Sequence, residues 1–270
     1  MDDDATEFLR AGDPAGALQA LQAHVRRAPG DAKLRIFLFQ LLCVLGDWKR
    51  AIGQLKLCAE LDPAAIPMAQ TYREAIICEI QRDKVFAGEV APMVMGEPQP
   101  WLALLIQAQG ALARGQVGEA DDLRGRAFDA APETPGEIDG TRFAWIADAD
   151  MRLGPVLEAI INGRYFWVPF GAIRSLSIDA PEDLRDAVWL PAQIRLVSEG
   201  EVVALIPTRY PGTPQHGSAA ERLARATGWQ DAGAGLFTGL GQRILSTDTV
   251  ETALMDTRRI EIDPVPAEAG

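Results

Sequence analysis

The chain has 270 residues, a formal net charge of −12 and a hydrophobic fraction of 48%. The acidic charge excludes a uniform nucleic-acid-binding surface, because binding a phosphate backbone needs clustered lysine and arginine. No uninterrupted apolar run reaches about 18 residues, so the sequence predicts no membrane insertion, and the acidic start MDDDATEFLR predicts no ordinary secretory signal.

A repeat occupies the first half of the chain. Residues 11–29 (AGDPAGALQALQAHVRRAP) align with residues 45–63 (LGDWKRAIGQLKLCAELDP) at an offset of 34 residues, and a weaker copy covers 113–132. This period is typical of tetratricopeptide (TPR) repeats, in which a turn glycine reverses the chain and a proline follows the second helix. The recurring positions are glycine at 12, 46 and 115, alanine at 17, 51 and 120, and proline at 29, 63 and 132.

We therefore predict a TPR-like α-helical repeat domain over residues 1–132. Between 67 and 100 the repeat is degenerate, and its second helix is expected to be short or displaced. Stacked repeats leave a concave surface that can take a peptide or a helix. The alternative is that the second half of the same chain fills this hollow.

The segment PETPGEIDGT (132–141) predicts a boundary, after which residues 133–270 form a smaller α+β domain. We predict a short helix for GPVLEAIIN, begun by acids near Asp150, and helix or turn for VETALMDT. PEDLRDA and SAAERLARAT are predicted as short helical pieces. Strands are predicted for RYFWVPF, AIRSLSI, AVWLPAQIRLV, EVVALIP, QRILS and RRIEI, which are rich in β-branched and aromatic residues.

Candidate sites for chemistry are weak. In Asp148-Ala-Asp150 the spacing fails an EF-hand test, because Arg152 and Leu153 occupy the fifth and sixth positions. We expect these acids to sit at a helix start and to pair with Arg152 or Arg164. The glycine-rich run GAGLFTGLGQR lacks a phosphate-loop pattern and predicts a flexible turn into QRILS.

The cysteines, three in number and without CxxC spacing, predict free buried thiols. Because neither these cysteines nor the motifs tested above fit a known site, no catalytic, cofactor-binding or metal-binding residue is predicted. One enzyme hypothesis stays open: a hydrolase or phosphoryl-transfer activity using Asp148, Asp150 and Glu158, with the repeats as a targeting arm. A self-associating scaffold with an exposed Trp167 or Trp189 is a further alternative.

Five segments of the second half stand out: WIADADMRLGPVLEAIINGRYFWVPF (145–170), LRDAVWLPAQI (184–194), IPTRYPG (206–212), ATGW (226–229) and GLGQRIL (239–245). Together they resemble the ImpE/SciE/TagJ family, accessory proteins of bacterial type VI secretion systems. The resemblance implies a non-enzymatic cytoplasmic adaptor. Family members bind the N-terminal helix of the small subunit of the contractile sheath, and through the sheath they are linked to the AAA+ ATPase that recycles it.

The resemblance assigns no site residue, so the partner-binding surface is predicted from physical reasoning alone. A helical groove can take a partner helix through anchors at helical spacing. In the second repeat we predict that Arg35, Phe39 and Gln40 face outward from the packed stripe. A second predicted surface consists of Arg164, Tyr165 and Trp167.

Overall fold

The computed structural model describes residues 3–97 and 99–264. Its first half is a layer of helices, and its second half is rich in strands. The helices of the first half are α1 (Asp3–Arg10), α2 (Pro14–Arg27), α3 (Ala32–Val44), α4 (Trp48–Leu61), α5 (Ile66–Phe86), α6 (Pro100–Ala113) and α7 (Val117–Ala130).

Helices α1–α2, α3–α4 and α6–α7 form hairpins whose turns carry the repeat glycines. Gly12, Gly46 and Gly115 have φ angles of +80°, +72° and +75°, a region that side chains disfavour. Asp13 and Asp47 follow the first two of these glycines, and their carboxylates accept backbone N–H groups from the first turns of α2 and α4. The repeating alanines at 17, 51 and 120 are buried between the helices. The predicted TPR-like helical layer is confirmed.

Helix α5 has no hairpin partner. The chain after it makes strand β1 (Met93–Val94), which pairs in parallel with a strand of the second half, β6 (Arg164–Pro169). Pro92 cannot donate a helical hydrogen bond, and Gly88 and Gly96 have positive φ angles, so a helix is disfavoured here. The degenerate repeat thus contributes a sheet strand where a second helix was expected.

The other strands and short helices of the second half follow in chain order. The strands are β2 (Gly136–Ile138), β3 (Thr141–Phe143), β4 (Ile146–Asp148), β5 (Val156–Ile161), β7 (Ile173–Ile178), β8 (Trp189–Leu196), β9 (Glu201–Pro207), β10 (Thr227–Asp231), β11 (Phe237–Gly241), β12 (Ile244–Thr247), β13 (Glu251–Ala253) and β14 (Arg259–Ile262). The helices are α8 (Thr213–His216) and α9 (Ala219–Arg222), with 3-10 turns at Pro63–Ala65, Phe170–Ala172 and Leu184–Ala187.

Within the described residues these strands form three sheets. The largest has the order β1-β6-β5-β9-β8-β7-β14-β2-β3 and is antiparallel except for the β1–β6 pair. A small sheet has the order β13-β12-β4, and β10 and β11 form an antiparallel hairpin. The predicted fold class, a TPR-like layer followed by an α+β part, is confirmed.

The two faces of the large sheet pack in different cores. Val156, Ile160 and Trp167 belong to the core that the sheet shares with the helical layer. Leu157 and Val168 belong to a second core, shared with the small sheet and the far strands. This alternation along β5 and β6 follows the twofold period of extended strands. The core of the helical layer is therefore continuous with the core of the sheet.

The predicted helix over GPVLEAIIN is wrong, because Val156–Ile161 form the central strand β5. Every residue of β5 is buried and all but Glu158 are apolar, so the run lacks the alternation of a half-buried strand. VETALMDT forms strand β13 followed by a turn, and the strands over 136–148 and the β10–β11 hairpin were not predicted. The six predicted strands are all present as β6, β7, β8, β9, β12 and β14.

Candidate functional site

A buried cluster of charged side chains lies between helix α5 and the large sheet, with Glu158 of β5 at its centre. Glu158 accepts two hydrogen bonds from Arg82 of α5, at 2.7 Å to Oε1 and 2.8 Å to Oε2. Arg243, in the β11–β12 connection, and the hydroxyl of Tyr165 also donate to the same carboxylate. Such a bidentate arginine–carboxylate pair with additional donors is a strong, directional contact.

These donors determine the charge of Glu158. Burial acts to raise the pKa of Glu158, but the positive charges of Arg243 and Arg82 outweigh it and lower that pKa to about 2. Glu158 is therefore ionised at neutral pH and fully engaged by its partners. A carboxylate in this state is not available as a general acid.

Asp148 and Asp150, in the segment 145–170, have different surroundings. Asp150 accepts from the Arg152 guanidinium (Nε to Oδ1, 2.9 Å) and from the backbone N–H of Gly239 at 2.8 Å. Asp148 accepts the backbone N–H of Asp150 through Oδ1, while its Oδ2 lies 3.5 Å from Nε of Arg243 without a hydrogen bond. Burial raises the pKa of Asp148 to about 7, against the opposing effect of Arg243.

Further members of the cluster tie α3 and α5 to the sheet. Arg209 donates to the carbonyl oxygen of Val44 at 2.7 Å, and Trp189 of β8 donates to Glu79 of α5 at 3.0 Å. The cluster as a whole comprises four carboxylates, Glu79, Asp148, Asp150 and Glu158, and four guanidinium groups, Arg82, Arg152, Arg209 and Arg243. Each buried charge of the cluster thus has groups of opposite sign nearby, as burial of charge requires.

The cluster corrects the predicted role of the aspartates. Asp150 closes a tight turn, in which its side chain accepts the N–H of Arg152 and its carbonyl accepts that of Gly154, and it does not begin a helix. The predicted pairing with Arg152 is confirmed. Arg164, the other predicted partner, is exposed at the start of β6.

The hollow of the helical layer is filled by the chain's own sheet. Phe39 of α3 packs on Tyr72 of α5, with ring centroids 5.7 Å apart, and Tyr72 packs on Trp189 at 5.8 Å. Trp189 also contacts Trp48, and Phe86 of α5 contacts Trp167 at 6.1 Å. The structure therefore confirms the alternative prediction that the second half of the chain fills the hollow.

This packing decides the exposure of the predicted partner-binding residues. Phe39, Gln40, Tyr165 and Trp167 are buried, so the expectation that these side chains face outward is wrong. Arg35 is half-buried and donates to the carbonyl oxygen of Pro29 and to Gln54. Burial of Trp167 and Trp189 likewise removes both from the surface proposed for self-association.

An open cleft with exposed aromatic walls lies on the outer side of the cluster. It consists of two adjoining pockets of about 700 and 400 Å³, which share Ala149 and Met151. Trp229 and Phe237, on the β10–β11 hairpin, border the first pocket, and Trp145 borders the second. We call this surface, with its two pockets, the aromatic cleft. No pattern in the sequence indicated this surface, although Trp145 and Trp229 lie in the family-like segments WIADAD and ATGW.

Two findings concern metals and membranes. Across residues 3–97 and 99–264, no three His, Cys, Asp or Glu side chains are grouped so as to hold a metal ion. Over the same ranges, no helix combines the length and the apolar character that crossing a bilayer demands.

The fold defines a class of protein: a TPR-like helical layer whose inner face is closed by a mixed sheet, through a buried acid–arginine cluster. Two family models match parts of the chain. The family model described as "ImpE protein" matches residues 140–261, and a tetratricopeptide repeat model matches residues 8–73.

One relative and one solved structure match nearly the whole chain. The type VI secretion system accessory component TagJ of Pseudomonas aeruginosa is 53% identical over 97% of this chain and 92% of its own length. The crystal structure of protein VPA1032 from Vibrio parahaemolyticus superposes with a TM-score of 0.89 at 25% identity, covering 97% of this chain and 98% of that one. The chain belongs to the ImpE/SciE/TagJ family, as its sequence segments suggested.

Proposed function

We propose that this chain is a non-enzymatic accessory protein of a bacterial type VI secretion system. The observation that carries the proposal is its 53% identity, over 97% of the chain, to a protein named as an accessory component of that system. The TPR-like layer supports a role in protein–protein contacts, since repeats of this kind serve mainly as binding scaffolds.

The partner in this proposal is the small subunit of the contractile sheath, bound through its N-terminal helix in the bacterial cytoplasm. The contact links the chain indirectly to the AAA+ ATPase that recycles the sheath. These specifics come from the family resemblance. Because the inner face of the helical layer is packed against the sheet, the partner helix must bind an outer surface.

The charge cluster supports a role without chemistry. Asp150 and Glu158, which an enzyme would use as acids, are buried and paired with arginine in the described structure. Asp148 also lies beside Arg243, although it borders an open pocket. Buried acids that are already paired hold elements together, and they lack the free access to substrate that catalysis needs.

A binding titration tests the proposal. The full chain is mixed with a synthetic peptide comprising the N-terminal helix of the small sheath subunit from the same bacterium, with a scrambled peptide of equal composition as control. We expect saturable binding with a Kd of about 1–10 µM, measured by isothermal calorimetry. Absence of binding at about 100 µM of the native peptide would contradict the proposed function.

A further inference from the structure

The aromatic cleft is shaped by elements from both halves of the chain. Phe128 of α7 lies against Gly154, where an added Cβ would come within 2.5 Å of its ring, and it helps to line the second pocket. On the other side, the β10–β11 hairpin is fixed to the buried cluster by the hydrogen bond from Gly239 to Asp150. The walls are thus held in place before any partner arrives, which lowers the entropic cost of binding.

The side chains of the cleft are apolar and unusually exposed. Trp145, Trp229 and Phe237 keep 41%, 44% and 47% of their surface accessible. Trp229 packs on Tyr210 in a tilted arrangement, with ring centroids 5.6 Å apart, and Tyr210 in turn packs against Gly239. Exposed aromatic side chains beside a cavity are characteristic of the anchor positions of protein interfaces.

The charged side chains that line the cleft are all negative. The charged side chains among its described lining residues are Glu133, Asp148 and Glu251, all acidic. Asp248 accepts the backbone N–H of Ala144, beside Trp145, and adds another acid near the rim. At the floor, Asp148 is only 3% exposed and its Oδ2 lacks a hydrogen-bond partner within the protein. A ligand with positive charge and hydrogen-bond donors fits this pattern.

We propose that the aromatic cleft is the docking surface for a basic amphipathic segment of a protein partner, with apolar side chains entering the two pockets and lysine or arginine meeting the acidic rim. Under the proposed function, on which this identification of the partner rests, that segment is the N-terminal helix of the small sheath subunit. The net charge of −12 increases the rate of encounter with such a segment.

The test uses the full chain and two peptides: the sheath-subunit helix, and a synthetic amphipathic helix made of leucine and lysine. Trp229→Ala and Phe237→Ala remove apolar walls of the cleft. Phe8→Ala is the matched control, because Phe8 on α1 is 41% exposed and lies outside the cleft. We expect each cleft variant to weaken peptide binding about tenfold or more and the control to change Kd less than about twofold.

Charge reversal tests the acidic rim separately. The double variant Glu133→Lys, Glu251→Lys weakens binding at about 0.1 M salt, and the difference from wild type shrinks at about 0.5 M salt because rim charges are screened. Glu7→Lys on exposed α1, combined with Glu60→Lys at the exposed end of α4, changes the net charge equally and leaves Kd unchanged. Circular dichroism and thermal unfolding confirm that each variant is folded.

The outcomes separate the two proposals. In one outcome, wild type binds the sheath peptide and every cleft variant binds it equally well; in another, only Arg164→Glu loses binding. Either result would overturn the cleft as the docking surface and leave the proposed function intact. If wild type ignores the sheath peptide but binds the leucine–lysine helix in a Trp229-dependent manner, the cleft inference holds and the proposed function fails. Binding of neither peptide contradicts both.

Discussion

Asp148 and Glu158 show how the surroundings of a residue determine its charge. Both carboxyl groups are buried and both lie beside Arg243. The charges of Arg243 and Arg82, with hydrogen bonds from Arg82 and Tyr165, outweigh burial and lower the pKa of Glu158 to about 2. Asp148 has one guanidinium at 3.5 Å and a backbone N–H, too little to offset burial, so its pKa rises to about 7.

Stability should therefore depend on the protonation of Asp148. Its folded pKa of about 7 lies above the ordinary value of 3.8, so the folded state binds the proton more tightly. The resulting stabilisation is complete below about pH 4 and is lost as pH rises to about 7. Asp148→Asn abolishes this loss, and the stability of the variant relative to wild type should rise between pH 5 and 7 by up to about 1.4 kcal/mol per pH unit.

Urea unfolding of wild type and Asp148→Asn at several pH values measures this effect. Asp129→Asn, which changes an exposed acid on α7, is the control and should follow the wild-type profile. Parallel pH profiles for Asp148→Asn and wild type would show that Asp148 titrates as it does in the unfolded chain.

Residue-level predictions from sequence succeeded where the partners are close along the chain. The pairing of Asp150 with Arg152, two positions away, was predicted and is present. The pairing of Glu158 with Arg82 spans 76 residues, and that of Arg209 with Val44 spans 165. Nothing in the spacing of one sequence indicates such contacts, because they depend on how distant elements pack.

Among the elements, β5 and α5 were the least predictable. Leu157, Ile160 and Ile161 have the i, i+3, i+4 spacing of a helix, yet they belong to a central strand buried on both faces. Helix α5 was predicted, but its lack of a second hairpin helix was not. The chain after α5 forms strand β1 and joins the sheet, which is a long-range contact. By contrast, the hairpins of α1–α2, α3–α4 and α6–α7 carry local glycine and proline signals that identify them.

Besides its apolar packing, helix α5 is attached to the sheet through the ion pair of Arg82 with Glu158; Arg82 also contacts Glu79 and the carbonyl oxygen of Arg209. Arg82→Ala leaves buried carboxylates with fewer partners, so we expect a loss of about 3–5 kcal/mol in the free energy of unfolding. Arg126→Ala, on the exposed side of α7, is the control and should cost less than about 0.5 kcal/mol. Chemical denaturation measures both; a change under about 1 kcal/mol for Arg82→Ala would mean that the cluster does not hold α5 in place.

At the scale of the whole molecule, the inner face of the helical layer packs against the chain's own sheet and is not free for a partner. One buried core runs from Leu21 and Phe39 in the helices to Tyr165, Trp167 and Trp189 in the sheet. The sequence predicts both layers, because helical and strand periods are local properties. It does not predict which face stays free, and for this reason four of the six predicted partner-binding side chains, Phe39, Gln40, Tyr165 and Trp167, are buried.

The position of the partner is the central claim, and hydrogen–deuterium exchange of the full chain with and without the sheath-subunit peptide tests it most directly. We predict slower exchange on binding at the backbone of 145–151, 227–231 and 237–241, with α1 and the exposed side of α4 unchanged. Protection confined to the outer surfaces of α1–α4, with none around the aromatic cleft, would contradict the account.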